Sequence, residues 1–127
     1  MRSFRKSEGA ARLVERRRRE DDAPRLKHEV PALEKLDLEI NDSRGEVDPG
    51  STYVRRVVVD QAPALFVLPC ADPSCSDGGH DITSSVMYSL RSGAASFDGR
   101  DECHGSVGSA PCGRVLTFVA KAAYRSP

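Results

Sequence analysis

Apolar and polar residues alternate in several short stretches of this chain, and the alternation predicts strands. Residues 36–40 alternate strictly, which is typical of a half-buried β-strand. Residues 53–60, rich in valine, predict a second strand, with Tyr53, Arg55, Val57 and Val59 on one face and Val54, Arg56 and Val58 on the other. Residues 64–68 are apolar on both faces, so we expect a central strand there. A last strand over residues 114–124 would point one set of side chains inward, namely Leu116, Phe118, Ala120 and Ala122.

A single helix is predicted between the third and fourth strands. Thr83 is a good N-cap, and Ile82 and Met87 are spaced as a hydrophobic staple. A narrow apolar face follows, made of Val86, Met87 and Leu90, and Gly93 is expected to end the helix. Residues 96–110 are rich in Gly, Asp and Ser and predict a loop. The resulting fold is an α+β domain with a small antiparallel β-β-β-α-β sheet and one helix on a face.

All four cysteines lie between residues 70 and 112, in two pairs that follow or precede predicted strands. Cys70 and Cys75 form one pair, and Cys103 and Cys112 form the other. Zn²⁺ takes four thiolate or imidazole ligands in a tetrahedron, usually as two short-range pairs brought together by the fold. The sequence therefore predicts a structural Zn²⁺ site with these four ligands, in a zinc-ribbon-like loop region.

The ligand set has alternatives. His80 and His104 lie in the same region, so either could replace a cysteine or lie beside the site and hydrogen-bond to it. Disulfides or free thiols are the other possibility. No stretch approaches the ~18 apolar residues of a membrane span, and the N-terminus lacks the apolar segment of a secretory signal. We therefore expect a cytoplasmic protein without membrane contact, in which the cysteines stay reduced and favour metal over disulfides.

The net charge of zero hides an uneven distribution. Residues 1–28 contain ten lysines and arginines against five aspartates and glutamates, a net charge of +5, and the remainder carries −5. We predict that residues 1–28 form a flexible basic arm and residues 29–127 the zinc-stabilised domain. An RNA, DNA or ribonucleoprotein partner would contact the arm through phosphates. The expected contacts are Arg12, Arg16, Arg17, Arg18, Arg19, Arg25 and Lys27.

Motifs for phosphate loops, dinucleotide binding and serine hydrolases are absent from the sequence. Residues 41–45, downstream of the arginine run, resemble the PilZ cyclic-dinucleotide signature, but the glycine comes one position early. We assign no family on that basis.

Two functions remain in view. The first is a non-catalytic zinc module that binds nucleic acid through the arm or a protein partner through a sheet edge. The second is a small hydrolase-like zinc enzyme, in which three protein ligands leave one metal position open for water.

Overall fold

Four long strands form the main sheet of the computed structural model, which describes residues 13–44 and 48–126. The strands are β1 (Leu33–Arg44), β2 (Asp48–Val57), β6 (Ser96–Glu102) and β9 (Val115–Tyr124). Their order is β2-β1-β9-β6, and every neighbouring pair is antiparallel. The prediction of a mixed α+β fold built on an antiparallel sheet is confirmed.

The alternating pattern of β1 places one face of the sheet in the core. Leu36, Leu38 and Ile40 are completely buried, while the residues between them are half-buried or exposed. On β9 the predicted inward positions match these residues across the ladder, because Phe118 lies opposite Ile40 and Ala120 opposite Leu38. The opposite face of the sheet is mostly polar, with Val54 and Val119 as exposed apolar residues, as expected of an antiparallel sheet with one face in water.

The β1–β2 hairpin is longer than the sequence predicts. Residues 41–44 and 48–51 are typical of turns, yet both belong to strands. The ladder contains an irregularity between Asp42 and Arg44, and Gly50 on the partner strand has a φ of +75°. A bulge with a glycine in the left-handed region lets the strands twist without ending. Consequently Asp42 keeps its core-facing position at the end of the sheet nearest the cysteines.

The predicted central strand over residues 64–68 is wrong. Only β3 (Val67–Leu68) is a strand, and it pairs with the short β5 (His80–Asp81) outside the main sheet. The segment is nevertheless buried, and its backbone bonds elsewhere: the Phe66 amide donates to Thr83 Oγ1, and the Phe66 carbonyl accepts from Ile82. Its apolar run therefore reflects burial against the start of a helix, not a place in the sheet.

The predicted loop over residues 96–110 is also wrong, because it begins with the edge strand β6. Gly99 lies opposite Phe118, and a Cβ at this glycine would come within 2.7 Å of the Phe118 ring. Phe97 packs edge-on against the same ring, with centroids 6.4 Å apart. The glycine that suggested a loop is thus a strand residue that makes room for an aromatic ring.

The helix after the cysteine-rich segment forms as predicted, with a different N-cap. α3 (Thr83–Arg91) buries Val86, Met87 and Leu90 in the same apolar cluster as the sheet residues. Ile82 is the N-cap, and the Thr83 side chain instead accepts the Phe66 amide. Gly93 follows the helix with a φ of +75°, as predicted.

The N-terminal described residues contain a helix, α1, over residues 13–22, followed by α2 (Leu26–Glu29). Leu26 is completely buried in the core, and its amide donates to the Ala62 carbonyl. Packing against the domain therefore starts within the stretch assigned to the arm. The division of the chain at residue 28 and the flexibility of the arm stay predictions. Within the described ranges, no helix is long and apolar enough to cross a bilayer.

Candidate metal centre

The four cysteines meet at one end of the structure. Their Sγ atoms all lie within 4.8 Å of one another. Cys70 and Cys112 are 3.6 Å apart, and Cys75 and Cys103 are 3.7 Å apart. Disulfide sulfurs are about 2.05 Å apart, so all four cysteines are free. Sulfurs at the corners of a tetrahedron with ~2.3 Å metal bonds lie about 3.8 Å apart, which matches both pairs.

Two loops bring the cysteines together, the first cysteine loop over residues 70–75 and the second over residues 103–112. A three-stranded ribbon joins them, made of β4 (Cys75–Ser76), β7 (Ser106–Val107) and β8 (Ala110–Pro111). The Cys103 amide donates to the Arg114 carbonyl at 2.8 Å, and the Cys112 amide donates to Gly105 at 2.9 Å. The positions of both cysteines in the second loop are therefore fixed by backbone hydrogen bonds.

The thiols differ in how readily they ionise. Burial raises the pKa of Cys70 above its ordinary range, and burial with a hydrogen bond to Cys103 raises the pKa of Cys75 to about 11. Burial also disfavours the Cys103 thiolate, but amide hydrogen bonds from Gly79 and Gly105, together with hydrogen bonds from neighbouring thiols, outweigh burial and lower the pKa of Cys103. A cation binding all four sulfurs would displace protons from this cluster.

Two glycines allow the loops to approach the sulfurs. A Cβ at Gly78 would lie 2.5 Å from the Sγ of Cys103 and nearer still to that of Cys75. A Cβ at Gly105 would lie 2.5 Å from the same Cys75 sulfur. Any larger residue at either position would push the sulfurs apart, so the sequence requires glycine here for reasons of space.

Neither histidine belongs to the sulfur cluster. His80 is buried on β5, where its Nδ1 lies 2.9 Å from Asp101 Oδ2 and its Nε2 lies 3.4 Å from Asp42 Oδ2. The Nε2 atom has no hydrogen-bond partner among the described residues. His104 is exposed beside Cys103. The group of side chains placed to share a metal consists of the four cysteines.

An ion-pair network, which sequence reasoning missed, supports both loops, and its central pair, Arg114 and Asp42, is buried. Arg114 Nε donates to Asp42 Oδ1 at 2.8 Å, and its Nη1 donates to Asp48 Oδ2 at 2.7 Å. Asp42 also accepts the Ala71 amide of the first cysteine loop at 3.0 Å. The position of Asp42 could have indicated this network. Asp42 continues the series of inward-facing residues on β1, and a buried carboxylate requires a partner.

The predicted basic contacts divide into three groups. Arg12 lies outside the described residues. Arg16, Arg17, Arg18 and Arg19 lie on α1, where Arg18 approaches Asp22 at 4.0 Å and Arg19 approaches Asp81 at 3.7 Å. Arg25 donates to the backbone carbonyls of Glu20 and Ala23, so it has a structural role at the end of that helix. Lys27 is exposed on α2.

An open cleft of about 760 Å³ separates α1 from the first cysteine loop. Arg16 and Arg19 line one side, and Cys70, Cys75 and His104 line the other. The basic helix and the sulfur cluster thus border a common space. Models of protein families, curated proteins and solved structures were compared with the chain, and none matches.

Proposed function

We propose that this chain is a non-catalytic zinc module whose metal holds two loops to an antiparallel sheet. The observation that carries the proposal is the arrangement of the four sulfurs, with pair separations of 3.6 and 3.7 Å. Those separations suit a tetrahedral thiolate site, and Zn²⁺ is the common occupant of such sites. Reduced thiols require a reducing compartment, so the cytosol is the proposed location.

A structural role is favoured over a catalytic one by the ligand count. Four protein thiolates complete the coordination of Zn²⁺ and leave no position for an activated water. His80, the buried histidine nearest in sequence to the first loop, lies between Asp42 and Asp101 instead. The hydrolase-like alternative requires one cysteine to be released from the metal, and the close approach of all four sulfurs argues against it.

Chelation tests the structural role directly. Zinc that joins the loops over residues 70–75 and 103–112 should contribute several kcal/mol to folding, as structural zinc generally does. Treatment with a chelator should lower the melting temperature sharply, and added Zn²⁺ should restore it. Cys112→Ser should behave like the chelated protein, whereas Ser109→Ala in the same loop, at an exposed position, should melt like the wild type. Unchanged melting after metal removal would contradict the proposal.

For the partner, we propose an anionic polymer, RNA or DNA, bound by α1 next to the cysteine loops. Arg17 is exposed and Arg16 lines the cleft. Arg18 and Arg19 each lie near an aspartate, so part of their charge is neutralised within the chain. Arg16 and Arg17 are therefore the better candidates for phosphate contacts.

A salt titration tests the nucleic-acid partner. Each neutralised phosphate steepens the dependence of log K on log salt by about 0.9 on duplex and 0.7 on single strands. Replacing Arg16 and Arg17 together by Gln should flatten the slope by roughly 1.4 to 1.8 and weaken binding equally for unrelated sequences. The matched control replaces Arg100 and Lys121, two exposed cations on the outer face of the sheet, by Gln. Equal losses in both variants would contradict a contact through α1.

A further inference from the structure

The exposed edge of the main sheet is formed by β2. In the described part of the chain β2 pairs with β1 alone, so one side of the strand presents unpaired amides and carbonyls. On β2, Tyr53 is 48% exposed and Val54 is 60% exposed. Val58, directly after the strand, is 61% exposed. Threonine, tyrosine and valine favour strands, so this edge is well suited to accept another strand.

The register with β1 assigns the β2 side chains to the two faces of the sheet. Tyr53 and Arg55 lie opposite Ile40 and Leu38, so they extend from the core-facing side. Val54 lies opposite Glu39 and belongs to the outer face. Val119 on β9, the strand on the other side of β1, also lies opposite Glu39.

We propose that two copies of this chain pair antiparallel through β2 to form a symmetric dimer with a continuous eight-stranded sheet. A two-fold axis perpendicular to the sheet places the core-facing sides of both copies on the same face of the joined sheet. Residues directly opposite each other across the two strands point to the same face, so the axis must pass between a residue and its own copy. The regular ladder of β2 after Gly50 covers residues 51–57. Val54 is the centre of that range, so an axis at Val54 lets all seven residues overlap.

The same register gives complementary side-chain pairs. With Val54 opposite its copy, each Tyr53 lies opposite Arg55 of the second copy. Arginine over a tyrosine ring is a favourable cation–π pair, and it would occur twice. Each Arg56 lies opposite a Thr52. Cross-strand pairs directly opposite one another contribute most to sheet pairing, and here no two like charges are opposed.

Other registers are poorer. Moving the axis to Arg55 places the two copies of that arginine opposite each other, which is destabilising. Moving it to Tyr53 removes both tyrosine–arginine pairs. The other edge strand, β6, is described in full and has no strongly exposed large apolar side chain, whereas β2 has Tyr53 and Val54. β2 is therefore the favoured edge, and pairing of both β2 strands about the two-fold axis gives a dimer.

Sedimentation velocity over a wide concentration range tests the dimer. The wild type should show a monomer–dimer equilibrium. Val54→Lys should weaken self-association roughly tenfold or more, because two lysines would face each other on the axis. The monomer tolerates this change, since the introduced ammonium would face Glu39 within its own chain.

Val119→Lys is the matched control. It introduces the same side chain opposite the same Glu39, away from the edge, and should dimerise like the wild type. Both variants should melt close to the wild type at concentrations low enough for the wild type to be monomeric. A wild type that stays monomeric at every concentration, or one that forms open-ended assemblies, overturns the proposal. Equal self-association of the two lysine variants would also overturn the proposal.

A further variant tests the register. Tyr53→Glu would face Arg55 of the second copy in the proposed register, so the dimer should persist and become sensitive to salt. In a register centred on Tyr53, the two glutamates would oppose each other and the dimer would be lost. Loss of the dimer in this variant therefore contradicts the axis at Val54.

Discussion

Arg114 Nε lies 2.8 Å from Asp42 Oδ1, and both side chains are only 8% exposed. The pair contacts both cysteine loops through the backbone. Asp42 accepts the amide of Ala71, next to Cys70, and the carbonyl of Arg114 accepts the amide of Cys103. Asp42 is on β1, so this pair connects the main sheet to both halves of the sulfur cluster.

Arg114→Met should lower the free energy of unfolding by about 3–5 kcal/mol, because the Asp42 carboxylate would be left buried without its cation. Denaturant unfolding with excess Zn²⁺ measures this loss. The control is Arg100→Met, an identical change at an exposed position of β6, which should stay within about ±0.5 kcal/mol.

A double variant separates the charge effect from the loss of packing. Replacing Asp42 by Leu in the Arg114→Met protein removes the unpaired charge, so it should recover part of the lost stability. If the double variant is less stable than Arg114→Met by the full cost that Asp42→Leu has in the wild type, the two residues do not act as a pair.

Gly78→Ala should abolish metal binding at stoichiometric zinc. The new Cβ would overlap the sulfurs of Cys75 and Cys103, which must approach each other to share an ion. Gly108→Ala is the control: it strains a backbone with φ of +63°, but its Cβ meets nothing within 4 Å. It should lose some stability and keep the metal. Metal content after gel filtration compares the two, and full zinc content in Gly78→Ala would show that the cluster geometry differs.

The stability that ionised Asp48 contributes should be lost as the pH falls. A hydrogen bond from Arg114, and then one from the Gly50 amide, lower the pKa of Asp48 below its ordinary value. Its contribution is therefore complete above the unfolded pKa of about 3.9 and is lost as the pH falls through the folded value. Asp48→Asn should be less stable than the wild type near neutral pH, and the difference should vanish in strong acid.

The Arg114→Met background provides the control for this pH effect. With the guanidinium absent, Asp48→Asn should change the acid dependence of unfolding much less. An unchanged effect in that background would assign the shift to the Gly50 amide instead.

The sequence predicted those elements whose side-chain pattern agrees with the hydrogen bonding of their backbone. Residues 36–40 alternate strictly, and residues 114–124 place apolar side chains at every second position from Leu116. They correspond to the two central strands, β1 and β9. The helix at Thr83–Arg91 follows from its narrow apolar face and Gly93. The four cysteines were predicted to converge, because two cysteine pairs near strand ends favour a shared metal in the reducing compartment that the sequence predicts. The metal itself, its zinc identity and the partner stay predictions.

The errors have a common physical cause, which is that side-chain pattern does not specify backbone partners. Phe66 is as buried as any strand residue, yet its amide bonds to the Thr83 hydroxyl. Gly99 resembles a loop residue, yet it is in β6 because Phe118 needs the space. The Asp42–Arg114 pair spans 72 residues, and a single sequence carries no local signal for such a contact.

X-ray absorption at the zinc edge, combined with metal quantification, shows whether the four cysteines together hold one zinc ion. Protein purified without chelator should contain one zinc per chain, surrounded by four sulfurs at about 2.3 Å. That result would identify all four cysteines as ligands and leave no position for water. Nitrogen or oxygen among the atoms bound to the metal, or a metal-free protein with Cys70–Cys75 and Cys103–Cys112 oxidised to disulfides, would contradict the proposed zinc site.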